Sequence, residues 1–209
     1  MNPFVPLDPW ETALDRDFTR PATHGPDILV LDYLAQRLRS HLARRPLPRG
    51  RLTLPEPSGR EHTALVSQPQ GFDSPSPLTL VGFFGQKNPT ATPAVRQALW
   101  DIDDQLVAEV SQFPGILSLS CLELEDGNYG NLVVLASPEA ADHWRTSPTH
   151  RRAVQEHSPK YYSSIRIHNG TLSGETVEVH RTKYYDFRSP SPWLAIREWA
   201  PRLELHYSN

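Results

Sequence analysis

A chain of 209 residues with 21 basic and 24 acidic side chains carries a formal charge of −3, and 38% of its residues are hydrophobic. That is material for one core of ordinary size but not for two full domains, and the charge balance argues against a chain built to coat nucleic acid or an anionic membrane. A mean hydropathy of −0.50, with no apolar run near ~18 residues and no basic-then-apolar order over Met1 to Pro9, points to a cytoplasmic protein without a membrane span.

Proline is the unusual count, 21 residues, and its clusters mark the seams. Residues 1–26 hold five of them and read as an extended arm. Leu31, Leu34, Leu38 and Leu42 then recur at i, i+3, i+7 and i+11, which predicts an amphipathic helix over 27–45 stopped by Pro46-Leu47-Pro48. His62 to Val66 is a short strand candidate, and 68–77 is rich enough in Pro, Gly and Ser to serve as a linker. Seven arginines fall between Arg37 and Arg60; without an aromatic ladder beside them they read as a solvated face. Residues 1–77 thus form an N-terminal arm with one helix and a Pro-rich linker.

After Pro77 the pattern becomes regular. Leu78 to Gly85 is a strand. Thr92-Pro93 supplies a cap and a first-turn proline for a helix whose Val95, Leu99, Ile102, Leu106 and Val110 predict one buried face. Ile116 to Leu124 is a strand with apolar residues on both faces, and Asp126-Gly127-Asn128 turns it into Leu132 to Leu135. Ser137-Pro138 opens a helix to about Arg145, and Ser147-Pro148 opens another, with a break near Thr146. Tyr161 to His168 is a fourth strand, running into a turn at Asn169-Gly170. Residues 175–209 form a C-terminal extension: a strand over Thr176 to Tyr185, then a short helical patch around Trp193, Ile196 and Trp199.

The order strand, helix, strand, hairpin, strand, split helix, strand over 78–174 is that of a ferredoxin-like βαββαβ unit, an α+β fold. It resembles the dimeric α+β barrel superfamily, which includes the antibiotic-biosynthesis monooxygenases and the heme-degrading monooxygenases. The likeness is carried by Phe113-Pro114-Gly115, by Leu132 to Leu135, and by Ser137-Pro138-Glu139-Ala140 through Trp144 to Ser147-Pro148. It implies a homodimer of units paired sheet to sheet, each with a pocket between its own sheet and helices for a small hydrophobic or aromatic ligand. Trp144 falls where heme-degrading members carry a pocket tryptophan. Val154 stands where they place the iron-ligating histidine, and the first strand lacks their asparagine; His150 and His157, near one face of a continuous helix, are the substitutes for a heme ligand.

Three functional readings follow. In the first, a small oxidoreductase of monooxygenase type works without cofactor or metal: a dry aromatic pocket drawn from Trp100, Trp144, Phe83, Phe84, Tyr161 and Tyr162, with His143 or His168 as base. In the second, heme is bound through His150 or His157 against Trp144. In the third, a noncatalytic module binds a ligand or partner. His143, His150 and His157 are spaced by seven, but Pro148 breaks the helix that would align them as metal ligands. The lone Cys121 excludes an intramolecular disulfide and a cysteine-built zinc site and reads as a small core residue. No nucleotide-binding glycine loop, Gly-x-Ser-x-Gly or His-Glu-x-x-His is present.

Overall fold

The computed structural model describes residues 3–43, 50–174, 176–189 and 192–200. Its strands are β1 (Val5–Pro6), β2 (Gly50–Thr53), β3 (His62–Val66), β4 (Leu78–Lys87), β5 (Ile116–Glu123), β6 (Tyr129–Leu135), β7 (Tyr162–Ser173), β8 (Thr176–Asp186) and β9 (Trp193–Glu198). Its helices are α1 (His24–Leu42), α2 (Pro93–Glu109), α3 (Pro138–Arg145), α4 (Pro148–Arg152) and α5 (Ser158–Tyr161), with a π-helical turn at Ala153–His157. All nine strands belong to one sheet, ordered β1-β9-β8-β7-β4-β6-β5-β3-β2, so the class is α+β. No helix among the described residues is long and apolar enough to cross a membrane.

Four strands form the middle. In chain order β4, α2, β5, β6, the α3 to α5 segment and β7 follow one another, and in the sheet β7-β4-β6-β5 are neighbours, each pair antiparallel. The flanking segments do not stand apart from this unit. β2 and β3 extend the sheet beyond β5, while β8, β9 and β1 extend it beyond β7.

One face of the sheet is closed by α1. Leu31, Leu34 and Ala35 are fully buried against Leu80, Phe84, Leu132, Val134, Leu172 and Val179. Gly82 is the point of closest approach, since a Cβ there would meet the Leu31 methyls at 2.8 Å. The helix therefore follows the leucine spacing and ends at Leu42; positions 44 and 45 of the expected helix, and the Pro46-Leu47-Pro48 stop, lie outside the described residues. The face opposite α2 and α3 is covered by the chain's own helix α1 and by its N-terminal arm, whose Leu7, Ala13 and Phe18 pack on Tyr184 and Ala195.

The other face carries α2 to α5. All three expected proline-opened starts are present, at Pro93, Pro138 and Pro148; Thr92 Oγ1 accepts from Val95 N and Ser147 Oγ from His150 N, while the Ser137 side chain makes no cap bond. Four other expectations need correction. Residues 68–77 are not a free linker, because Pro69–Asp73 form a 3₁₀ turn with Pro69 and Phe72 buried. Asn169-Gly170 is not a turn: β7 runs through it with a bulge, and the Gly170 backbone packs where a Cβ would lie 1.9 Å from Glu178 O, so only glycine fits. The chain reverses at Gly174, φ +58°.

The helical patch at 193–199 is strand β9. Its spacing of three is overridden by Arg197, fully buried, which donates to Thr19 O at 2.9 Å, Asp8 O at 3.1 Å, the Tyr184 hydroxyl at 2.7 Å and Glu11 O, fixing the arm to the sheet. Finally, the helical stretch after Pro148 is not continuous, because the π turn resets the register between His150 and His157.

Candidate functional site

Of the five apolar residues expected to bury one face of α2 and the turn after it, only Ile102 and Val110 are buried; Val95, Leu99 and Leu106 are half-exposed. The reason is where the helix rests. It packs mainly against the helical segment 148–161, so its apolar stripe is only partly covered above the strands, and this partly open region is the candidate cleft. Near the C-terminal end of α2 a separate groove of about 250 Å³ is lined by Val107, Ser111 and Leu65.

The floor of the cleft is set by strand register. Cys121, Asn131 and Phe83 are direct cross-strand partners on β5, β6 and β4 and so share a face. Gly85 lies one step along, with Tyr162 laid over it and packed edge-on against Phe83 at 5.4 Å. The helix contributes Asp103, an exposed carboxylate whose negative charge acts on both Cys121 and Tyr162. The surrounding protein, then the neighbouring Asp104, push the Asp103 carboxyl above its usual range against the opposing pull of Arg51. Burial first, then Asp103 and Glu61, pushes the Cys121 thiol up to about 12. Burial, Glu61 and Glu123 push Tyr129 up to about 12 as well. Tyr162 is raised too, chiefly by burial.

These shifts assign roles. Tyr162, Tyr129 and Cys121 hold their protons at neutral pH and can donate them in hydrogen bonds, as the Tyr129 hydroxyl does to Glu61 Oε2 at 3.3 Å, while Asp103 is a carboxylate with enhanced basicity. Asn131 Oδ1 is buried without a hydrogen-bond partner among the described residues, the state expected of a group that completes its bonding with a ligand or water.

The residues singled out from the sequence are scattered around this cleft. Trp144 and His150 come together, with ring centroids 4.9 Å apart, and burial, then Arg145, hold the His150 imidazole below its usual range against Glu109. His143 is exposed and stacks edge-on against Phe113 at 5.2 Å. His157 sits half-buried at the end of the π turn, and Val154 is exposed. Among the described residues no three His, Cys, Asp or Glu side chains are grouped as a metal site. His168 lies on the opposite face, 1% exposed, between Asp27 Oδ2 and Thr182 Oγ1 at 2.8 Å each. Of the expected aromatic lining, Phe83 and Tyr162 meet, Phe84 turns to the α1 side, and Trp100 is half in solvent.

Heme, the cofactor the resemblance implies, would be held through His150 or His157 against Trp144. Trp144 and His150 do meet, but neither this pair nor His157 lines either of the two grooves described. No step is derived through heme.

Sequence reasoning passed over Asp103 and Asn131. The signal for Asp103 was present: it falls four residues after Leu99 and three before Leu106, an acid on an otherwise apolar stripe.

No family model and no curated protein matches the chain. Several solved structures are similar to about half of the chain. A protein of Shewanella oneidensis is 13% identical, over 47% of this chain and 93% of its own, with a TM-score of 0.39. A dimeric ferredoxin-like protein of unknown function from Thermobifida fusca YX is 15% identical, over 46% and 92%, at 0.38. A "putative monooxygenase" from Lactobacillus acidophilus NCFM is 11% identical, over 58% of this chain and 55% of its own, at 0.41. Scores this low carry no argument, and the strand order above stands on its own.

Proposed function

We propose that residues 78–173 are a ferredoxin-like βαββαβ unit and that the cleft under α2 is the active site of a small oxidoreductase of monooxygenase type, with a hydrophobic or aromatic substrate and dioxygen as oxidant. One observation carries the reading: a carboxylate with raised pKa on α2 lies within electrostatic reach of two protonated groups of the sheet, Cys121 and Tyr162, and the cross-strand row of Cys121 also holds the unpartnered amide oxygen of Asn131. That is the set an anion-forming oxygenation needs.

Asp103 takes a proton from an activated C–H or O–H of the substrate. The Tyr162 hydroxyl donates to the resulting oxyanion, Asn131 Oδ1 accepts from a hydroxyl of the substrate, and Phe83, Leu99 and Leu106 seat its apolar body. The electron-rich anion is itself the reductant of dioxygen. For a methylene converted to a carbonyl the balance closes as CH₂ + O₂ → C=O + H₂O, one oxygen atom entering the product and the other leaving as water. His143 and His168 have no part in this scheme.

The test is oxygen uptake by the purified chain with a panel of hydroquinones and fused-ring phenols. Uptake above the spontaneous rate with at least one panel member, reduced about 10²- to 10⁴-fold in folded Asp103→Asn, is the expected result. No enzyme-dependent uptake across the panel, or equal uptake by the variant, would overturn the assignment.

A further inference from the structure

On the same sheet face, at the far side of α3, a groove of about 360 Å³ lies over β4, β7 and β8. That volume is within the usual range for a small-molecule site. Its wall holds three cations, Arg145 from α3 with Arg181 and Lys183 from β8, and two carboxylates, Asp142 and Glu198. The carboxylates are committed to the arginines: Asp142 Oδ1 to Arg145 Nη1, and Glu198 Oε1 to Arg181 Nε at 2.5 Å. Each contact is one-point, so each guanidinium keeps N–H donors beyond it. Lys183 has no ion-pair partner among the described residues. Its ammonium is held below the usual lysine range by burial, then by the two arginines, against Asp142 and Glu198. The local potential is therefore positive despite a chain whose formal charge is −3.

Asn169 and Thr171 add neutral polar groups to the wall, and Val81, Pro138 and Ala141 add a short apolar side. Lys183 and Asn131 lie in one cross-strand row, separated by Phe83 and Ile167. At ~4.8 Å per strand they are roughly 14 Å apart, so this groove is distinct from the cleft under α2.

We infer that the groove binds a small organic anion, its carboxylate or phosphate held by Lys183 between Arg145 and Arg181 and its apolar body lying on Val81, Pro138 and Ala141. The shared chemistry is a compact oxyanion matched to one ammonium and two forked guanidiniums.

Calorimetric titration of the full chain with benzoate and, separately, inorganic phosphate tests this. One saturable site per chain for at least one probe is expected, weakened about tenfold or more in Lys183→Met and in Arg145→Gln and largely restored in Lys183→Arg. Tighter benzoate binding assigns a carboxylate with an apolar body; tighter phosphate binding assigns a phosphorylated ligand. Melting of the free variants should stay within about 2 °C of the parent, since Lys183 leaves only a ring contact with Phe4 behind and the Arg145–Asp142 pair is exposed. No saturable heat with either probe, heat unchanged by both charge-removing variants, or heat abolished for both probes by physiological chloride would overturn the site.

Discussion

Replacing Asp27 by asparagine separates a structural from a catalytic role for His168. Asp27, in the first turn of α1, is buried and accepts from Arg166 Nε at 2.6 Å and Arg166 Nη2 at 2.8 Å, with His168 Nε2 at 2.8 Å. Behind the imidazole, Nδ1 meets Thr182 Oγ1 at 2.8 Å, and Trp199 Nε1 donates to that oxygen at 2.7 Å. A neutral imidazole satisfies the chain: the Thr182 hydroxyl donates to Nδ1, and Nε2–H donates to the carboxylate. Burial alone would raise the Asp27 carboxyl, but hydrogen bonds from His168 and Arg166 overcome that and hold it low. An asparagine amide turns one N–H group toward a donor and leaves the Arg166 charge uncompensated.

Breaking one side of a buried pair costs ~3–5 kcal/mol. The Arg166 side chain is 18% exposed, so the lower end, about 3 kcal/mol, applies. For a chain of this size that lowers the melting temperature by roughly 6–12 °C. Thermal melts of Asp27→Asn by circular dichroism at pH 7 read this directly. Because the folded pKa lies below the unfolded one, the stabilisation is present above the ordinary carboxylate range and is lost as pH falls through the folded value. The gap between parent and variant should thus narrow below about pH 4. A drop under about 2 °C at pH 7, or a gap that persists in acid, would refute the strut. In the same account His168→Gln lowers stability but leaves oxygen uptake per folded molecule unchanged.

Asp103→Asn should raise the melting temperature while abolishing uptake, by less than about 1 kcal/mol because the group reaches solvent; removing a carboxylate that burial and Asp104 disfavour relieves strain that function requires. An unchanged or lower melting point would count against that origin of its basicity. The lowered pKa of His150 means that the unfolded chain binds its proton more readily. Parent stability should therefore fall as pH drops below about 6.5, more steeply than that of His150→Gln, in urea titrations at pH 7.5 and 5.5. Gly170→Ala should cost about 2–3 kcal/mol or prevent folding, since its methyl group meets the backbone oxygen of Glu178 and not a side chain that can move; a parent-like urea midpoint would contradict the bulge geometry.

The alternation and caps of the middle unit were legible because each is decided locally. Thr92-Pro93 and Ser147-Pro148 satisfy their own helix starts, and Gly127, φ +74°, turns its own hairpin. β9 was not legible, because what makes it a strand is the edge of β8 together with the arm carbonyls that accept from Arg197, which lie nearly the whole chain away in sequence. β2 was missed because it is short and largely exposed, with little periodicity to show. The site divided in the same way. Phe83 and Tyr162 were found as aromatics near the ends of strands. His168 looked like a base until Asp27, 141 residues away in sequence, claimed it. Asp103 was hidden by reading the α2 stripe as core, when the support of the helix by residues 148–161 leaves that stripe facing a cleft.

The central claim is that small aromatic ligands enter beneath α2. Amide chemical-shift mapping during titration with a fused-ring phenol under nitrogen tests it without requiring turnover. Saturable shifts clustered at Asp103, Cys121, Asn131 and Tyr162, and lost in a folded Gly85→Leu variant whose side chain must displace the Tyr162 ring lying over that position, are what the account predicts. Shifts gathered around His150 and Trp144, or no saturable shifts at all, would contradict it.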